Sequence, residues 1–262
     1  MSKRRLDTLL AERGLYESRS RAAAAVMAGD VHVGERPARK PGEMVADDAE
    51  LSVATPPEFV SRGGIKLANA LAAFGIDPAG RRALDAGAST GGFTDCLLKR
   101  GAAAVIALDV AYGELHWSLR QDPRVTVIER RNARELTPGE LPFRPDLIVA
   151  DLSFISLTKV LPAVLRCAAP SFDCLALVKP QFEAGRERIG RGGVVRSADD
   201  RRAALLKVAT HAREAPGVEV LGFASSGLPG PAGNRESFVW LARGGREGPI
   251  EDLEAAARKV EP

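Results

Sequence analysis

The stretch "ALDAGASTGGFTDCLLKRGAAAVIALDVAYG", residues 83–113, decides the fold. An apolar run stops at Asp85, a glycine-rich turn follows, a helical pattern begins at Phe93, and a second apolar run stops at Asp109. Gly87, Gly91 and Gly92 let the backbone approach a ligand while it turns into a helix. Further along, strand-like runs at 105–109, 125–128, 146–151 and 174–178 follow the one at 83–85. Helical patterns lie near 93–100, 113–119, 157–168 and 199–213. This alternation predicts an α/β, Rossmann-like fold: a mostly parallel, doubly wound sheet with helices on both faces. "VEVLGFASSGLPGPAGNRESFVWLA" reads as two strands around a Pro/Gly loop, which adds an antiparallel strand at the sheet edge. "PIEDLEAAARKV" reads as a short helix.

In such a sheet, ligands sit beyond the carboxyl ends of the strands. Asp85, Asp109, Asn132, Asp151 and Lys179 follow five consecutive runs, so a row of polar groups faces that crevice. The spacing G-x-x-x-G-G departs from the G-x-G-x-x-G of dinucleotide sites. Asp85, directly before the turn, would also repel a pyrophosphate, which prefers uncancelled amide dipoles. S-adenosylmethionine carries an ammonium, a carboxylate and a sulfonium, and it has no phosphate. Asp85 suits its cationic part, and the amides around Ser89–Gly92 suit its carboxylate, within a turn formed by Gly87, Ala88, Ser89, Thr90, Gly91, Gly92 and Phe93. Asp109, with Val110, lies at the offset where an acid takes ribose hydroxyls. Asn132, with Ala133, can reach the adenine. The competing reading is a structural turn with two capping or solvated acids.

Residues 1–55 differ from the rest. "RRLDTLLAERGL" and "SRSRAAAAVMAGD" each read as a helix closed by glycine, Gly14 and Gly29, with Ser18 as a cap. "DVHVGERPARKPGEMV" reads as short strands. Residues 1–40 carry nine Lys/Arg and five Asp/Glu, a net of +4, whereas the whole chain has +3. The small N-terminal part therefore holds the positive charge. "ATPPEF", residues 54–59, disfavours helix and central strand through its paired prolines. Boundaries follow at 1–58 for the small domain, 59–64 for a linker and 65–262 for the large domain.

Cys96, Cys167 and Cys174 are too scattered for a zinc site or a disulfide framework, and they read as reduced core residues. No metal site is expected. No apolar run approaches the roughly 20 residues that span a bilayer, and "MSKRRLDTLL" lacks the apolar core of a secretory signal. A cytoplasmic protein with no membrane partner, favoured as a monomer, is expected.

"SRGGIKL", "LDAGASTGGFT", "ALDVAYGELHWSLRQDPRV", "NARELTP", "ADLSFISLTKVLP", "LVKPQFEAG", "GGVV" and "GPAGNRESFVWL" closely resemble the TlyA family. These are ribosomal RNA 2′-O-methyltransferases, historically labelled hemolysins, with an FtsJ-like methyltransferase domain. "SRSRAAAAVMAGDVHV" resembles the alpha-L RNA-binding motif that the family carries at its N-terminus. The resemblance implies a Lys-Asp-Lys-Glu catalytic set at Lys66, Asp151, Lys179 and Glu236. It implies S-adenosylmethionine as donor and cytidine of ribosomal RNA as substrate, in the large (23S) subunit and in some members the small (16S) one. It also implies that the modification favours antibiotics such as capreomycin. Chemistry agrees with such a set, because a weakly nucleophilic 2′-hydroxyl needs in-line positioning and a base. Lys179 is the expected base, with Lys66 as a neighbouring cation. Asp151 would orient Lys179, and Glu236 would hold Lys66 or the ribose. Arg4, Arg5, Arg19, Arg21, Arg39, Lys40 and Arg62 are expected to meet phosphates. The Gly/Arg-rich stretch 185–195 either closes over substrate or is a plain surface loop. A non-catalytic RNA-binding or ribosome-assembly factor is the rival reading. A membrane-active toxin finds no spanning segment to support it.

Overall fold

The computed structural model describes residues 3–16, 18–53, 58–245 and 248–261. The chain divides into two units, Met1–Pro57 and Glu58–Pro262. Residues 54–57, with the paired prolines, lie outside the described residues.

In the first unit, β1 (Lys3–Arg5) runs into α1 (Leu6–Glu12) and α2 (Arg19–Ala28). The spacing of Leu6, Leu9 and Leu10 puts them on one face, buried with Ala22 and Val26 of α2. The Ser18 hydroxyl accepts from the Arg21 amide at 3.2 Å, and Gly29 closes α2 with a φ of 86°. Four short strands follow: β2 (Val31–Val33), β3 (Arg36–Pro37), β4 (Met44–Ala46) and β5 (Leu51–Val53). β4 pairs antiparallel with β1, and β2 lies between β3 and β5.

The second unit opens with α3 (Arg62–Phe74) and continues through β6 (Arg82–Ala86), α4 (Gly92–Lys99), β7 (Ala104–Leu108), α5 (Trp117–Arg120) and β8 (Val125–Ile128). Next come β9 (Leu147–Ala150), α6 (Leu161–Cys167), β10 (Phe172–Val178), α7 (Pro180–Glu183) and α8 (Ala198–Ala212). It ends with β11 (Glu219–Ser225), β12 (Ser237–Arg243) and α9 (Leu253–Val260). The seven strands lie in the order β11-β12-β10-β9-β6-β7-β8. Alternate residues face opposite layers. Leu84, Ile106, Ile148 and Cys174 pack with Val164 of α6 and Val208 of α8. Ala83, Val105, Leu147 and Leu175 pack with Leu67 of α3 and Leu97 of α4. Each buried Leu or Ile contributes roughly 1.5–3 kcal/mol relative to exposure. Burial on both faces is why these strands read as unbroken apolar runs. Cys96, Cys167 and Cys174 are free thiols in this interior, as expected.

Three expectations change. β12 is antiparallel to β10 and β11, but it lies one place in from the edge; the edge strand β11 is parallel to the rest. The helix expected near 113–119 shrinks to the single turn of α5, because Gly113 is left-handed (φ 81°) and only Leu115 and Leu119 are buried. Residues 59–64, expected as linker, belong to the second unit. Phe59 is 4% exposed in the α3–α4 layer, and the helix has begun by Arg62.

Candidate active site

The strand order reverses at β6, which pairs with β7 on one side and β9 on the other. That switch point opens a crevice at the carboxyl ends. Gly87 leaves β6 with a φ of 87°, and a Cβ there would lie 2.5 Å from the Asp151 carbonyl oxygen. Only glycine allows the turn and the loop after β9 to close together. Gly91, with a φ of 95°, starts α4 against Leu115 and Leu119.

Asp85 lies beneath this turn, fully buried, in register with Ala107 and Val149. The Thr94 hydroxyl donates to its Oδ2 at 2.7 Å, whereas Oδ1 is buried without a partner. Burial pushes this carboxyl up to about 7 against the Thr94 hydrogen bond, and the charges of Asp151 and Asp109 add to the rise. Asp109 is tied to the turn: its Oδ2 accepts from the Ser89 amide at 2.7 Å and its Oδ1 from the Ala111 amide at 2.8 Å. The Gly91 amide donates to the Ala88 carbonyl at 2.8 Å. Two of the turn amides expected to receive a ligand carboxylate are therefore already engaged. Asn132 caps the next turn, accepting from the Arg134 amide at 3.1 Å, which uses one lone pair of the oxygen expected at the adenine.

Two adjoining cavities meet at Gly87, Ser89, Asp151 and Ser153. One, of about 420 Å³, is lined by Lys66, Lys179, Ala88, Thr90, Gly92, Phe93 and Arg62. The other, of about 500 Å³, is lined by Asp109, Val110, Asn132 and Ala133, with apolar walls from Leu152 and Ile155. Asp85 and Gly91 sit behind the lining.

The four expected catalytic residues form two lysine–carboxylate pairs. Lys66 of α3 and Glu236, just before β12, meet at 2.5 Å with both side chains almost fully buried, and Glu236 Oε1 has no partner. Lys179, at the end of β10, meets Asp151 Oδ1 at 2.5 Å and donates to the Ser153 hydroxyl at 2.9 Å. Each lysine holds its own carboxylate, and both lysines line the same cavity.

Several lining residues were not foreseen. Ser61, Ser153, Pro229 and Pro231 line the lysine cavity, and Phe154 lines the other. Phe154 has a φ of 64° and is 91% exposed. Buried Glu183 on α7 accepts from the Ser156 hydroxyl at 2.5 Å and the Leu157 amide at 2.7 Å, fixing the loop that carries Ser153. Arg62, expected on phosphate, donates to the Pro229 carbonyl at 2.8 Å at the rim of the lysine cavity.

In the N-terminal unit, Arg4 pairs with Glu12 and, at 3.5 Å, with Asp47. Arg5 and Arg19 both pair with Asp7. Arg21, Arg39 and Lys40 are exposed.

A family model for FtsJ-like methyltransferases matches residues 59–243, and one for the S4 domain matches residues 4–51. The "16S/23S rRNA (cytidine-2'-O)-methyltransferase TlyA" of Mycobacterium tuberculosis is 54% identical, over 90% of this chain and 89% of that protein. The "Putative rRNA methyltransferase YqxC" of Bacillus subtilis is 44% identical, over 96% and 92%. Among solved structures, a "Putative hemolysin from Streptococcus thermophilus" is 38% identical with a TM-score of 0.72, over 99% of this chain and 96% of that one. The chain thus belongs to the FtsJ-like methyltransferases, in the TlyA family, and carries an S4 domain ahead of the methyltransferase domain.

Proposed function

We propose that the chain methylates the 2′-hydroxyl of cytidine in ribosomal RNA with S-adenosylmethionine as donor, acting in the cytoplasm. The large subunit is the first target and the small subunit the second. The observation that carries this is the Lys179–Asp151 pair, which lines the same cavity as the glycine turn. The M. tuberculosis relative, whose name states that activity on both RNAs, supports it. So does the lack, among the described residues, of any helix long and apolar enough to cross a membrane, which leaves the toxin reading without support.

The residues fit the donor on two counts. The orphaned Oδ1 of Asp85 is a buried acceptor suited to a cation. Asp109, held by two backbone amides, keeps lone pairs for ribose hydroxyls at the mouth of a cavity with apolar walls. S-adenosylmethionine supplies an electrophilic methyl group on a sulfonium.

Lys179, after releasing a proton to solvent, takes the hydroxyl proton as the methyl is transferred, and Asp151 and Ser153 hold the ammonium that forms again. Lys66, locked by Glu236, presents a fixed positive charge to the ribose-side oxygen, which aligns attack. The ribose must be unpaired or flipped out to enter. Purified subunits incubated with labelled donor, followed by reverse transcription at low nucleotide concentration, test the reading. A 2′-O-methyl stop in the RNA of each subunit, lost in Lys179→Ala with RNA binding kept, is expected. Label on a base would sink it in favour of a base methyltransferase, and RNA binding with no transfer by the wild type in favour of an assembly factor.

A further inference from the structure

Asp7 is a buried acid on the most basic part of the chain. It is 3% exposed, yet its two partners are open to solvent, Arg5 at 46% and Arg19 at 59% of their side-chain surface. Arg5 reaches it through Nε at 3.1 Å and Nη2 at 2.7 Å, a forked contact. Arg19, from the first turn of α2, reaches Oδ2 through Nε at 3.2 Å. The Arg5 guanidinium lies over Gly42, where a Cβ would stand only 3.1 Å from Nη1. A side chain at that position would crowd the plane that Asp7 sets.

An intramolecular ion pair can mean that its arginines are used up. Here they are not. Arg5 spends two N–H groups on Asp7 and Arg19 spends one, while a guanidinium carries five. One carboxylate shared between two guanidiniums leaves the trio with net positive charge. A long, mobile arginine loses rotamer entropy when it grips a phosphate; two arginines already held by a buried acid have lost it on folding. The two guanidiniums hold Asp7 well below the usual carboxylate range, chiefly through the Arg5 hydrogen bond, so the anchor stays charged across physiological pH.

We infer that Asp7 is a positioning residue for RNA: it fixes Arg5 and Arg19 side by side so that their outer N–H groups grip backbone phosphates. This rests on the ribosomal-RNA reading above. It leads to an outcome that runs against simple charge counting. Removing an acid from a basic face should tighten RNA binding, but removing this one loosens it.

The test uses the full chain and a ribosomal-RNA fragment or subunit, with affinity measured over a range of salt. Arg5→Ala and Arg19→Ala each lower the slope of log affinity against log salt by about 1. Asp7→Asn weakens binding by about fivefold and lowers the slope by about 1, although the protein becomes more positive. Asp48→Asn, an exposed acid of the same unit, leaves binding unchanged or tightens it. In an Arg5→Ala, Arg19→Ala background, Asp7→Asn adds nothing, since its partners are gone. Equal or tighter binding by Asp7→Asn overturns the inference. A further loss in the double-arginine background does so too, because Asp7 would then be supporting only the fold. If neither arginine variant changes binding, the inference falls together with the RNA reading of this face.

Discussion

Asp85→Asn should stabilise the ligand-free protein while abolishing its response to the donor. Asp85 is fully buried, with one oxygen on Thr94 and the other unpartnered, and its carboxyl is raised from the ordinary 3.8 to about 7. The folded protein therefore holds this proton more tightly than the unfolded chain. The carboxyl weakens the fold progressively between about pH 4 and 7, and the loss is complete above 7. From 3.8 to 7 the cost is about 4 kcal/mol. Asparagine removes that cost, keeps an oxygen for Thr94 and leaves a buried amide short of partners, at about 1–3 kcal/mol. The balance at pH 8 is a gain of about 2 kcal/mol, or a Tm roughly 4–8 °C higher for a unit of this size. At pH 5 the charge cost has fallen below about 2 kcal/mol and the two proteins should melt together. Wild type at a hundredfold excess of S-adenosylmethionine over Kd gains about 2.7 kcal/mol; the variant should gain none. Thermal melts at pH 5 and pH 8, with and without donor, measure all four quantities. A lower Tm of the ligand-free variant at pH 8, or a donor-induced rise that survives the substitution, would refute the reasoning.

Donor affinity of the wild type should fall about tenfold between pH 8 and pH 6, as Asp85 takes up its proton, and calorimetry checks this. Glu236→Ala leaves Lys66 buried without its partner and should cost about 3–5 kcal/mol. The double variant Lys66→Met, Glu236→Leu should regain most of that stability in denaturant melts without regaining methyl transfer, which separates the two roles of the pair. Gly87→Ala places a methyl 2.5 Å from the Asp151 carbonyl at a φ of 87°; loss of donor binding by calorimetry and a stability loss of about 1–3 kcal/mol are expected. Glu183→Ala frees the Ser156 and Leu157 contacts and should raise KM for the donor more than it lowers kcat, read from steady-state kinetics.

The sheet was legible because burial on both faces writes each parallel strand as an apolar run, and because a polar residue closes each run near the crevice, Asp85 buried behind its lining and Asp109, Asp151 and Lys179 on it. Leu84 and Asp85, or Leu108 and Asp109, mark that boundary within one residue. Strand position was less legible. The Pro/Gly loop announces that β11 and β12 pair, but nothing local tells which of them also meets β10. α5 was over-read because "GELHWSLR" has few apolar residues to hold a helix against the sheet. In the site, motifs named Lys66 and Glu236, yet 170 residues separate them, and no spacing rule foretells their contact. Asp109 looked free for a ligand; that it staples Ser89 and Ala111 depends on backbone geometry two loops apart. Phe154 carries no sequence signal for a left-handed backbone. Asp7 was one acid among several in a basic stretch, and only burial sets it apart.

The place of β12 has a bearing on how the enzyme comes into being. β11 touches the sheet only through its later neighbour, so it has no berth until the final strand slides in between. Glu236 rides at the leading edge of that strand, directly before Ser237. A chain still emerging from the ribosome thus lacks both the keystone of its sheet and the counter-ion of Lys66. Truncation ahead of residue 237 should leave an open, aggregation-prone edge at β10 rather than a feebler enzyme.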